Sequence, residues 1–308
     1  MSVVICAYTE QRWDNLVEAV EAVRRQTASA GQIIVVVDHN PALLERVRQA
    51  MPDVVAIENH ETRGLRGARN SGVLAAQGQI VVFLDDDALP RQDWLASLRS
   101  AYSNPDVVGV GGAIEPIWET GRPAWLPEEF YWVVGCTYRG LPETTTPVRN
   151  LIGCNMSFRR EIFSEVGLFR LGYGCDETEF CIRVVQRWPT RQMIYEPKAR
   201  VGHHVTAARS TWAYFRTRCY FEGGSKAVVS WIAGPKDGLA SERNYTMRVL
   251  PLGIVRGMLE TISGRDRAGI ARSGAIIAGL AATVAGYVAG RLFTAQAAQK
   301  RGWKQQTA

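Results

Sequence analysis

The sequence predicts an α/β protein with a mostly parallel central sheet, and two features of about the first hundred residues indicate it. Short runs of β-branched apolar residues alternate with segments whose apolar residues recur at helical spacing. The apolar run at residues 80–84 leads directly into three carboxylates, Asp85, Asp86 and Asp87. Continuous apolar runs are typical of strands covered on both faces, and open α/β sheets bind ligands at the carboxyl ends of such strands.

The predicted elements form repeated strand–helix–strand units, which produce parallel strands joined by right-handed crossovers. Strands are predicted at residues 3–7, 32–38, 54–58 and 80–85, and helices at residues 14–26, 41–51 and 68–77. Residues 106–170 show little periodicity. We interpret them as loop structure in which Gly109, Gly111 and Gly112 interrupt a short strand.

Composition limits the classes of partner. The chain has 308 residues, 46% hydrophobic and 21% charged, as globular proteins do. Its net charge of +6 comes from the C-terminal part, because residues 243–308 contain ten basic and two acidic residues. This favours an anionic lipid surface as a partner, and no nucleic acid is expected. The six cysteines form no Cys-x-x-Cys pair, which indicates reduced thiols in the cytosol, and no signal peptide is expected.

The three consecutive carboxylates predict a cation site. Carboxylates this close raise one another's pKa unless a cation neutralises them. A hard divalent cation that carries a phosphorylated substrate is the expected occupant. A solvated acidic turn is the alternative for this segment alone.

Arginine and glycine recur in residues 63–72, which read Arg-Gly-Leu-Arg-Gly-Ala-Arg-Asn-Ser-Gly. Glycines let a backbone approach a phosphate closely, arginines supply charge, and the following helix presents its N-terminal N–H groups. The segment lacks the Gly-Lys-Ser/Thr ending of a P-loop.

Together these motifs resemble the family 2 glycosyltransferases of the GT-A fold over about residues 1–230. Residues 127–135 and 149–150 look like archaeal and actinobacterial members, some of which extend glycans on dolichyl or polyprenyl phosphate. The resemblance implies an α/β GT-A fold (nucleotide-diphospho-sugar transferase) with a mostly parallel central sheet and a helical C-terminal tail.

The resemblance also assigns donor-binding residues. Tyr8 is expected near the nucleotide base, and Glu10 in the same turn is expected to bind the donor. Asp38 matches the acid that accepts a hydrogen bond from the base in uridine-nucleotide members, so a UDP-sugar is favoured; capping the next helix is the alternative. Arg69 and Asn70 lie in a segment similar to the family's Ala-Arg-Asn-x-Gly and are expected near the donor.

The acid triplet matches the family's Asp-x-Asp signature at Asp85 and Asp87. The resemblance implies that Asp87 is the principal metal ligand, and that Asp85 lies near the ribose and the metal-bound water. His203, predicted to follow a strand at residues 199–201, is expected near the metal or the diphosphate, although a surface His203-His204 pair is the alternative. Carboxylates suit Mg²⁺ or Mn²⁺, and an added imidazole favours Mn²⁺.

Two further segments resemble the family's acceptor side. Residues 174–183 match the pattern Glu-Asp-x-Asp/Glu and place Glu177 at the catalytic-base position, where the family usually has Asp; Asp176 is the rival. Capping explains part of this acid run, because acids are favoured in the first turn of a helix. Asn155 is expected to bind donor or acceptor hydroxyls, with a buried turn amide as the alternative.

These assignments imply a metal-dependent, inverting transfer of one sugar from a nucleotide-sugar to an acceptor hydroxyl. The acceptor is expected to be a lipid-linked or other glycan, as in cell-envelope synthesis. One alternative is a catalytically degenerate membrane scaffold. Another is a sugar-phosphate nucleotidyltransferase, but residues 8–13 lack the glycine-rich loop with lysine that such enzymes need.

Residues 273–290 contain no charge, and basic residues flank them on both sides. This length is the lower limit for spanning ~30 Å of hydrocarbon. A single weak transmembrane helix, a helix on the membrane surface and a core helix are the three interpretations, and we favour membrane association at the cytoplasmic face. Residues 248–262 indicate a further interfacial segment, and Gly286-x-x-x-Gly290 suits close helix packing.

The expected organisation has three parts. Residues 1–105 form the nucleotide-sugar-binding half and residues 106–235 the acceptor-binding half of one GT-A domain, and residues 236–308 form the helical basic tail. Aromatic residues of the second part are expected to bind sugar rings or to fill the core.

Overall fold

The computed structural model describes residues 1–170, 176–233 and 244–301, and the contacts divide the chain into two compact units. The first unit contains the described residues of Met1–Glu115, Pro142–Gly172 and Asp176–His204. The second contains those of Pro116–Leu141 and Val205–Ala308. Gly174 and Cys175, which belong to the predicted catalytic-base segment, lie outside the described residues.

The first unit contains most of the sheet and the helices that follow its strands. The strands are β1 (Ser2–Ala7), β2 (Gln32–Val37), β3 (Val55–Glu58), β4 (Ile80–Asp85), β5 (Ala88–Pro90), β6 (Val107–Trp118), β7 (Thr146–Val148), β8 (Asn155–Arg159) and β9 (Gln192–Val205). The helices are α1 (Trp13–Arg24), α2 (Pro41–Ala50), α3 (Leu65–Ala75), α4 (Trp94–Ala101), α5 (Glu161–Val166) and α6 (Asp176–Arg187).

The described strands follow the order β3-β2-β1-β4-β8-β6-β9-β5, with β7 beside β9. Strands β3, β2, β1 and β4 are parallel, whereas β8 runs antiparallel to both β4 and β6. Val4, Ile34 and Phe83 on three of the parallel strands are buried, as the continuous apolar runs predicted. The carboxyl ends of β1, β2 and β4 therefore meet at one edge of the sheet, where Cys6 pairs in register with Asp85.

Residues 106–170 are more regular than predicted, because they include the long strand β6 and the strand β8. The prediction that three glycines interrupt a short strand was wrong. A Cβ on Gly112 would overlap the carbonyl oxygen of Ala199, and one on Gly109 would lie 2.9 Å from the Phe158 ring. Glycine at these positions allows close packing within the sheet, and it does not end the strand.

Helix α3 begins at Leu65, three residues before the predicted start. Gly64 adopts a φ of +113°, a conformation that favours glycine, and occupies the N-cap position. Arg69 and Asn70 consequently lie inside the helix, where their side-chain directions are fixed by the helical backbone.

The second unit is mainly helical and contains α7 (Trp212–Ala233), α8 (Leu250–Ile262) and α9 (Gly269–Arg301). Helices α7 and α9 approach each other through small residues, since a Cβ on Gly223 would overlap the Thr283 carbonyl and one on Gly286 would overlap the Tyr220 carbonyl. The predicted packing role of Gly286 and Gly290 is thereby confirmed.

Aromatic residues form the core of the second unit. Phe130 and Phe215 are fully buried, and the Trp125 ring lies 5.4 Å from the Phe215 ring and 5.1 Å from that of Trp212. Sugar binding and core packing were the two functions expected for the aromatic residues around Phe130, and Phe130 packs in the core.

Candidate active site

Asp38 follows β2 and is held by three hydrogen bonds. The Asn59 amide donates to Oδ1 at 2.6 Å, the Gly64 backbone N–H donates to Oδ2 at 2.9 Å, and the His39 ring lies 2.9 Å from Oδ1. Burial opposes the charge of Asp38, but these hydrogen bonds outweigh it and lower the pKa of the carboxyl. Asn40, not Asp38, caps helix α2, because its Oδ1 accepts from the Leu43 backbone N–H. The capping alternative for Asp38 was therefore wrong.

Two acids of the triplet are buried in contact with Arg12, a residue that the sequence analysis did not select. Asp86 and Asp87 are 4% and 5% exposed, and Arg12 Nη1 lies 2.9 Å from a carboxylate oxygen of each. Burial, partly offset by Arg12, raises the pKa of Asp86 to about 6. Oδ2 of Asp86 is buried and accepts no hydrogen bond from the described residues. Two acids of the triplet are therefore buried and the Asp85 side chain is 28% exposed, so the solvated-turn alternative was wrong.

His203 lies within β9, although the sequence predicted that it follows a shorter strand. It is 3% exposed, and its Nε2 is 3.3 Å from Oδ1 of Asp87. His204 points differently, with its Nε2 3.9 Å from Glu18. Alternation along the longer strand separates the two imidazoles, so His203 is buried beside the acids and is not one of a surface pair.

Ligand atoms of Asp85, Cys154 and His203 lie within 4.8 Å of one another. Two of the three expected metal ligands, Asp85 and His203, are in this group. The third, Asp87, lies beside it, 3.3 Å from His203 Nε2 and 2.9 Å from Arg12 Nη1. The group offers a carboxylate oxygen, an imidazole nitrogen and a sulfur, and the unsatisfied Oδ2 of Asp86 lies in the same acid cluster. Carboxylate and imidazole together fit Mn²⁺, so the residues present suit the predicted divalent cation.

Arg69 connects the acid cluster to the predicted base. The side chain is buried, with Nη2 3.6 Å from Asp85 Oδ1 and Nη1 3.8 Å from Glu177 Oε2. A Cβ on Gly153 would lie 2.6 Å from Nη2, so this guanidinium packs closely against Gly153. Arg69 therefore places one positive charge between two carboxylates that are about 90 residues apart in sequence.

Helix α6 begins with two acids that differ in environment. Asp176 is 9% exposed and its Oδ1 is buried without a hydrogen-bond partner among the described residues, whereas about a quarter of the Glu177 side chain is exposed. Burial, followed by the charge of Glu177, raises the pKa of Asp176 to about 6. Glu177 is thus the more accessible carboxylate, and Asp176 is held in the protein interior.

The expected donor-binding residues near the start of the chain are exposed. Tyr8 is 55% exposed, and the Arg12 guanidinium lies 5.6 Å from its ring centre. Glu10 contacts Arg46 at 3.4 Å. The Tyr8 ring is thus available to stack on a planar ligand beside the acid cluster, while Glu10 lies in a surface ion pair.

The two asparagines selected from the sequence have their amides engaged within the protein. Asn70 exchanges two hydrogen bonds with the Phe169 backbone, at 3.0 and 3.1 Å. Asn155 is fully buried; it donates to the Ala113 and Ala199 carbonyls and accepts from the Trp94 indole. The buried-amide alternative for Asn155 therefore accounts for its hydrogen bonds, and both asparagines position backbone segments.

Comparison with solved structures identifies the class of the fold. One match is the mannosyltransferase PcManGT from Pyrobaculum calidifontis in complex with GDP-Man and Mn²⁺, with a TM-score of 0.57, 18% identity and coverage of 92% of this chain and 86% of that chain. Another is GalNAc-T7 with UDP, GalNAc and Mn²⁺, with a TM-score of 0.53, 17% identity and coverage of 80% and 54%. The fold is thus the GT-A fold, as predicted.

Sequence comparison then identifies the family. The model described as Glycosyl transferase family 2 matches residues 2–167. A glucosyl-dolichyl phosphate glucuronosyltransferase from Haloferax volcanii is 37% identical over 241 residues, which cover 74% of this chain and 77% of that protein. This chain belongs to glycosyl transferase family 2. It is a glycosyltransferase, so the nucleotidyltransferase alternative was wrong.

Proposed function

We propose that the chain is a metal-dependent, inverting glycosyltransferase that moves one sugar from a nucleoside-diphosphate sugar to an acceptor hydroxyl. The observation that carries the proposal is the position of Arg69 between Asp85 and Glu177. A cation-binding carboxylate and an accessible carboxylate base thereby lie on either side of one guanidinium. A reacting sugar needs these two functions on its two sides, charge stabilisation at the leaving group and proton removal at the acceptor.

In this proposal each residue has one function. Asp85, Asp87 and His203 hold Mn²⁺ or Mg²⁺, which supplies charge stabilisation to the leaving diphosphate. Arg69 and Arg12 orient the acids and add positive charge near them. Glu177 accepts the proton of the attacking hydroxyl, because it is more exposed than Asp176. One displacement at the anomeric carbon inverts its configuration.

The nucleotide is proposed to lie between Tyr8 and Asp38. The exposed Tyr8 ring offers a stacking face, and the ionised Asp38 accepts hydrogen bonds of the kind that a uracil N–H donates. A UDP-sugar is therefore the favoured donor. The solved neighbours bind UDP in one case and GDP-Man in the other, so both nucleotides belong in the test.

A direct test measures nucleoside diphosphate release from UDP- and GDP-sugars, with Mn²⁺ and with a chelator, using the full chain. We expect release that requires the metal and that falls by about 10²-fold or more in Asp87→Ala, because one charge-stabilising contact is lost. Asp93→Ala is the matched control, since Asp93 is exposed and its side chain makes no capping hydrogen bond.

Two outcomes would count against the proposal. Equal nucleotide release by Asp87→Ala and Asp93→Ala would show that Asp87 is not a metal ligand. Absence of release from every donor tested, by a folded protein that binds Mn²⁺, would favour the degenerate scaffold.

We further propose that the acceptor is a glycan or sugar linked to dolichyl or polyprenyl phosphate, and that the second unit docks on the cytoplasmic face of the membrane. The relative from Haloferax volcanii is described as acting on a glucosyl-dolichyl phosphate, which supports a lipid-linked acceptor. Within Gly269–Phe293 of α9, an 18-residue window has a mean hydropathy of 1.6, and the helix is long and apolar enough for a membrane span by length and composition.

An apolar face on α8 and α9 supports membrane docking in particular. Its members are 53% to 81% exposed; they are Leu252, Leu259, Ile262, Ile277, Val284 and Val288. Apolar side chains exposed in this way along a helix, beside basic residues, are typical of helices that lie in the interface of an anionic bilayer. The proposal concerns attachment to the membrane, which either a peripheral helix or a single span provides, and vesicle binding tests it.

Leu259→Glu in the full chain is expected to weaken co-sedimentation with phosphatidylglycerol vesicles by about tenfold, because one leucine no longer enters the apolar phase. The matched control is Leu74→Glu in the first unit, where leucine is 67% exposed compared with 59% for Leu259. Equal loss in both variants would show that the α8 face does not dock, and binding to neutral phosphatidylcholine vesicles measures the share that charge contributes.

A further inference from the structure

We propose that Cys154 makes the predicted cation site a binding site for thiophilic divalent metals, Zn²⁺ in particular, with Asp85 and His203 as the other protein ligands. The basis is the group of ligand atoms of these three residues within 4.8 Å of one another. The proposal adds a sulfur ligand to the site of the proposed function, and it concerns which metal binds there and through which atom.

Strand register explains why three distant residues meet. Asp85 ends β4, and β8 pairs antiparallel with β4 so that Leu84 lies opposite Asn155. Cys154 directly precedes this pair, in the turn that leads into β8. His203 lies on β9, where it pairs with Ala88 three residues after Asp85. Strands therefore hold Asp85 and His203, and the adjoining turn holds Cys154.

The turn that leads into β8 places the Cys154 side chain. Within this turn the Asn155 backbone N–H donates to the Ile152 carbonyl oxygen at 3.0 Å, and the Asn155 side chain is buried against Trp94 and Ala199. Cys154 is 5% exposed, and its sulfur lies close to the Asp85 carboxylate and the His203 ring.

The donor set suits zinc better than magnesium. Zn²⁺ binds sulfur, imidazole nitrogen and carboxylate oxygen in tetrahedral sites, and three protein ligands leave the fourth position open. Ligand atoms at about 2.0–2.3 Å from such an ion are about 3.3–3.8 Å apart, so small side-chain rotations would close the present group. Mg²⁺ and Mn²⁺ prefer oxygen ligands and gain little from sulfur.

Binding is an exchange of a proton for a metal. Zn²⁺ forms a bond to the Cys154 sulfur as the thiol loses its proton to solvent, and no electron is transferred. Because Zn²⁺ lies above Mn²⁺ in the order of divalent-metal affinities for nitrogen and sulfur sites, it displaces Mn²⁺ from Asp85 and His203. In the proposed enzyme, this substitution lowers the turnover that Mn²⁺ supports.

The test uses the metal-free full chain, Co²⁺ as a spectroscopic substitute, and Zn²⁺ and Mn²⁺ in calorimetric titrations. Wild-type protein with Co²⁺ is expected to show sulfur-to-metal charge-transfer absorption and the visible bands of a tetrahedral site. Cys154→Ser is expected to lose the charge-transfer absorption and to bind Zn²⁺ about tenfold or more weakly, while Mn²⁺ affinity changes much less.

Two control variants make the result specific. Cys219→Ser removes a buried thiol in the second unit, and Cys6→Ser removes the thiol opposite Asp85 on β1. Both are expected to keep the charge-transfer absorption. Loss of the absorption in Cys6→Ser with retention in Cys154→Ser would overturn the assignment, as would equal Zn²⁺ affinity in wild type and Cys154→Ser. Cys154→Ala provides the same test if the serine variant does not fold.

Nucleotide release with Mn²⁺, measured on the same variants, separates this inference from the proposed function. Release by wild-type protein that shows no sulfur-to-metal absorption with Co²⁺ would leave the transferase proposal standing and overturn the Zn²⁺ site. Wild-type protein that shows the absorption but no release would support the Zn²⁺ site and count against the transferase proposal.

Discussion

Replacing Glu177 with glutamine is expected to lower kcat for sugar transfer by about 10²–10⁴-fold, because the amide cannot accept the proton of the attacking hydroxyl. Glutamine keeps the size of the side chain, whose Oε2 lies 3.8 Å from Arg69 Nη1. We therefore expect KM for the donor to change far less than kcat. Steady-state kinetics with varied donor at saturating acceptor separate the two parameters.

Asp176→Asn distinguishes the two rival carboxylates. Its folded-state pKa of about 6 exceeds the ordinary value of 3.8, so the folded protein holds this proton more tightly than the unfolded chain. The free energy of unfolding therefore falls as pH rises from about 4 to about 6. Asparagine does not titrate, so the variant does not lose this stability as the pH rises. Asp176→Asn is therefore expected to have a higher Tm than wild type at pH 7, and the Tm difference is expected to be smaller near pH 4.

The kinetic result assigns the base. Removal of a catalytic base is expected to lower kcat by about 10²-fold or more. If Asp176→Asn showed this loss and Glu177→Gln retained most of the wild-type kcat, Asp176 would be the base and our assignment would be wrong. Glu161→Gln serves as a control for the loss of one carboxylate near the surface, because Glu161 is exposed and contacts only Arg191 among the described ion pairs.

Arg69→Met is expected to be the most damaging single change to the first unit's site. It leaves Asp85 and Glu177 without the guanidinium that lies between them, and the uncompensated carboxylates cost about 1–3 kcal/mol of folding free energy. Nucleotide release is expected to fall by about 10²-fold or more, because a positive charge aimed at the donor site is lost. Urea unfolding and the release assay measure the two effects.

Arg69→Lys separates charge from geometry. Lysine keeps the positive charge but lacks the planar fork that reaches two carboxylates at once. We expect it to recover most of the lost stability and only part of the activity. Full activity in Arg69→Lys would show that the charge alone matters, and unchanged stability in Arg69→Met would contradict the bridging position of Arg69.

The sequence was most informative where its pattern is local and repeated. The strand at residues 80–85 was predicted from a continuous apolar run, and β4 has these bounds. The adjoining acids follow directly from that strand, so their place at its carboxyl end was predictable. The sequence also predicted that the acids at residues 176–177 begin a helix, because the apolar residues Phe180 and Ile182 follow them. Helix α6 begins at Asp176, and both apolar residues are buried.

Contacts between distant segments were not predictable from such patterns. Asn70 and Asn155 lie in the expected segments, but their amides bond to Phe169 and Ala199, partners about 99 and 44 positions away. A single sequence does not specify which carbonyl an amide will find, because that depends on how whole elements pack. Arg12 was missed for the same reason, since its partners Asp86 and Asp87 are more than 70 residues later.

Cys154 was missed although a signal for it existed. It directly precedes Asn155 in a segment that the sequence had already associated with the site, one residue before β8 begins. Cysteine is a common ligand of divalent metals, so its place beside Asn155 was the available signal.

In the proposed function, Asp38 would link recognition of the nucleotide base to the rate of the reaction. Its Oδ2 holds the Gly64 N–H at the start of α3, and α3 carries Arg69. A nucleotide base that donates a hydrogen bond to Asp38 would compete with the Gly64 N–H for this carboxylate. A change of donor is therefore expected to shift the start of α3, and with it the position of the Arg69 guanidinium. Donor preference and turnover in this enzyme are therefore expected to vary together, and an altered preference in a variant of Asp38 carries a rate change with it.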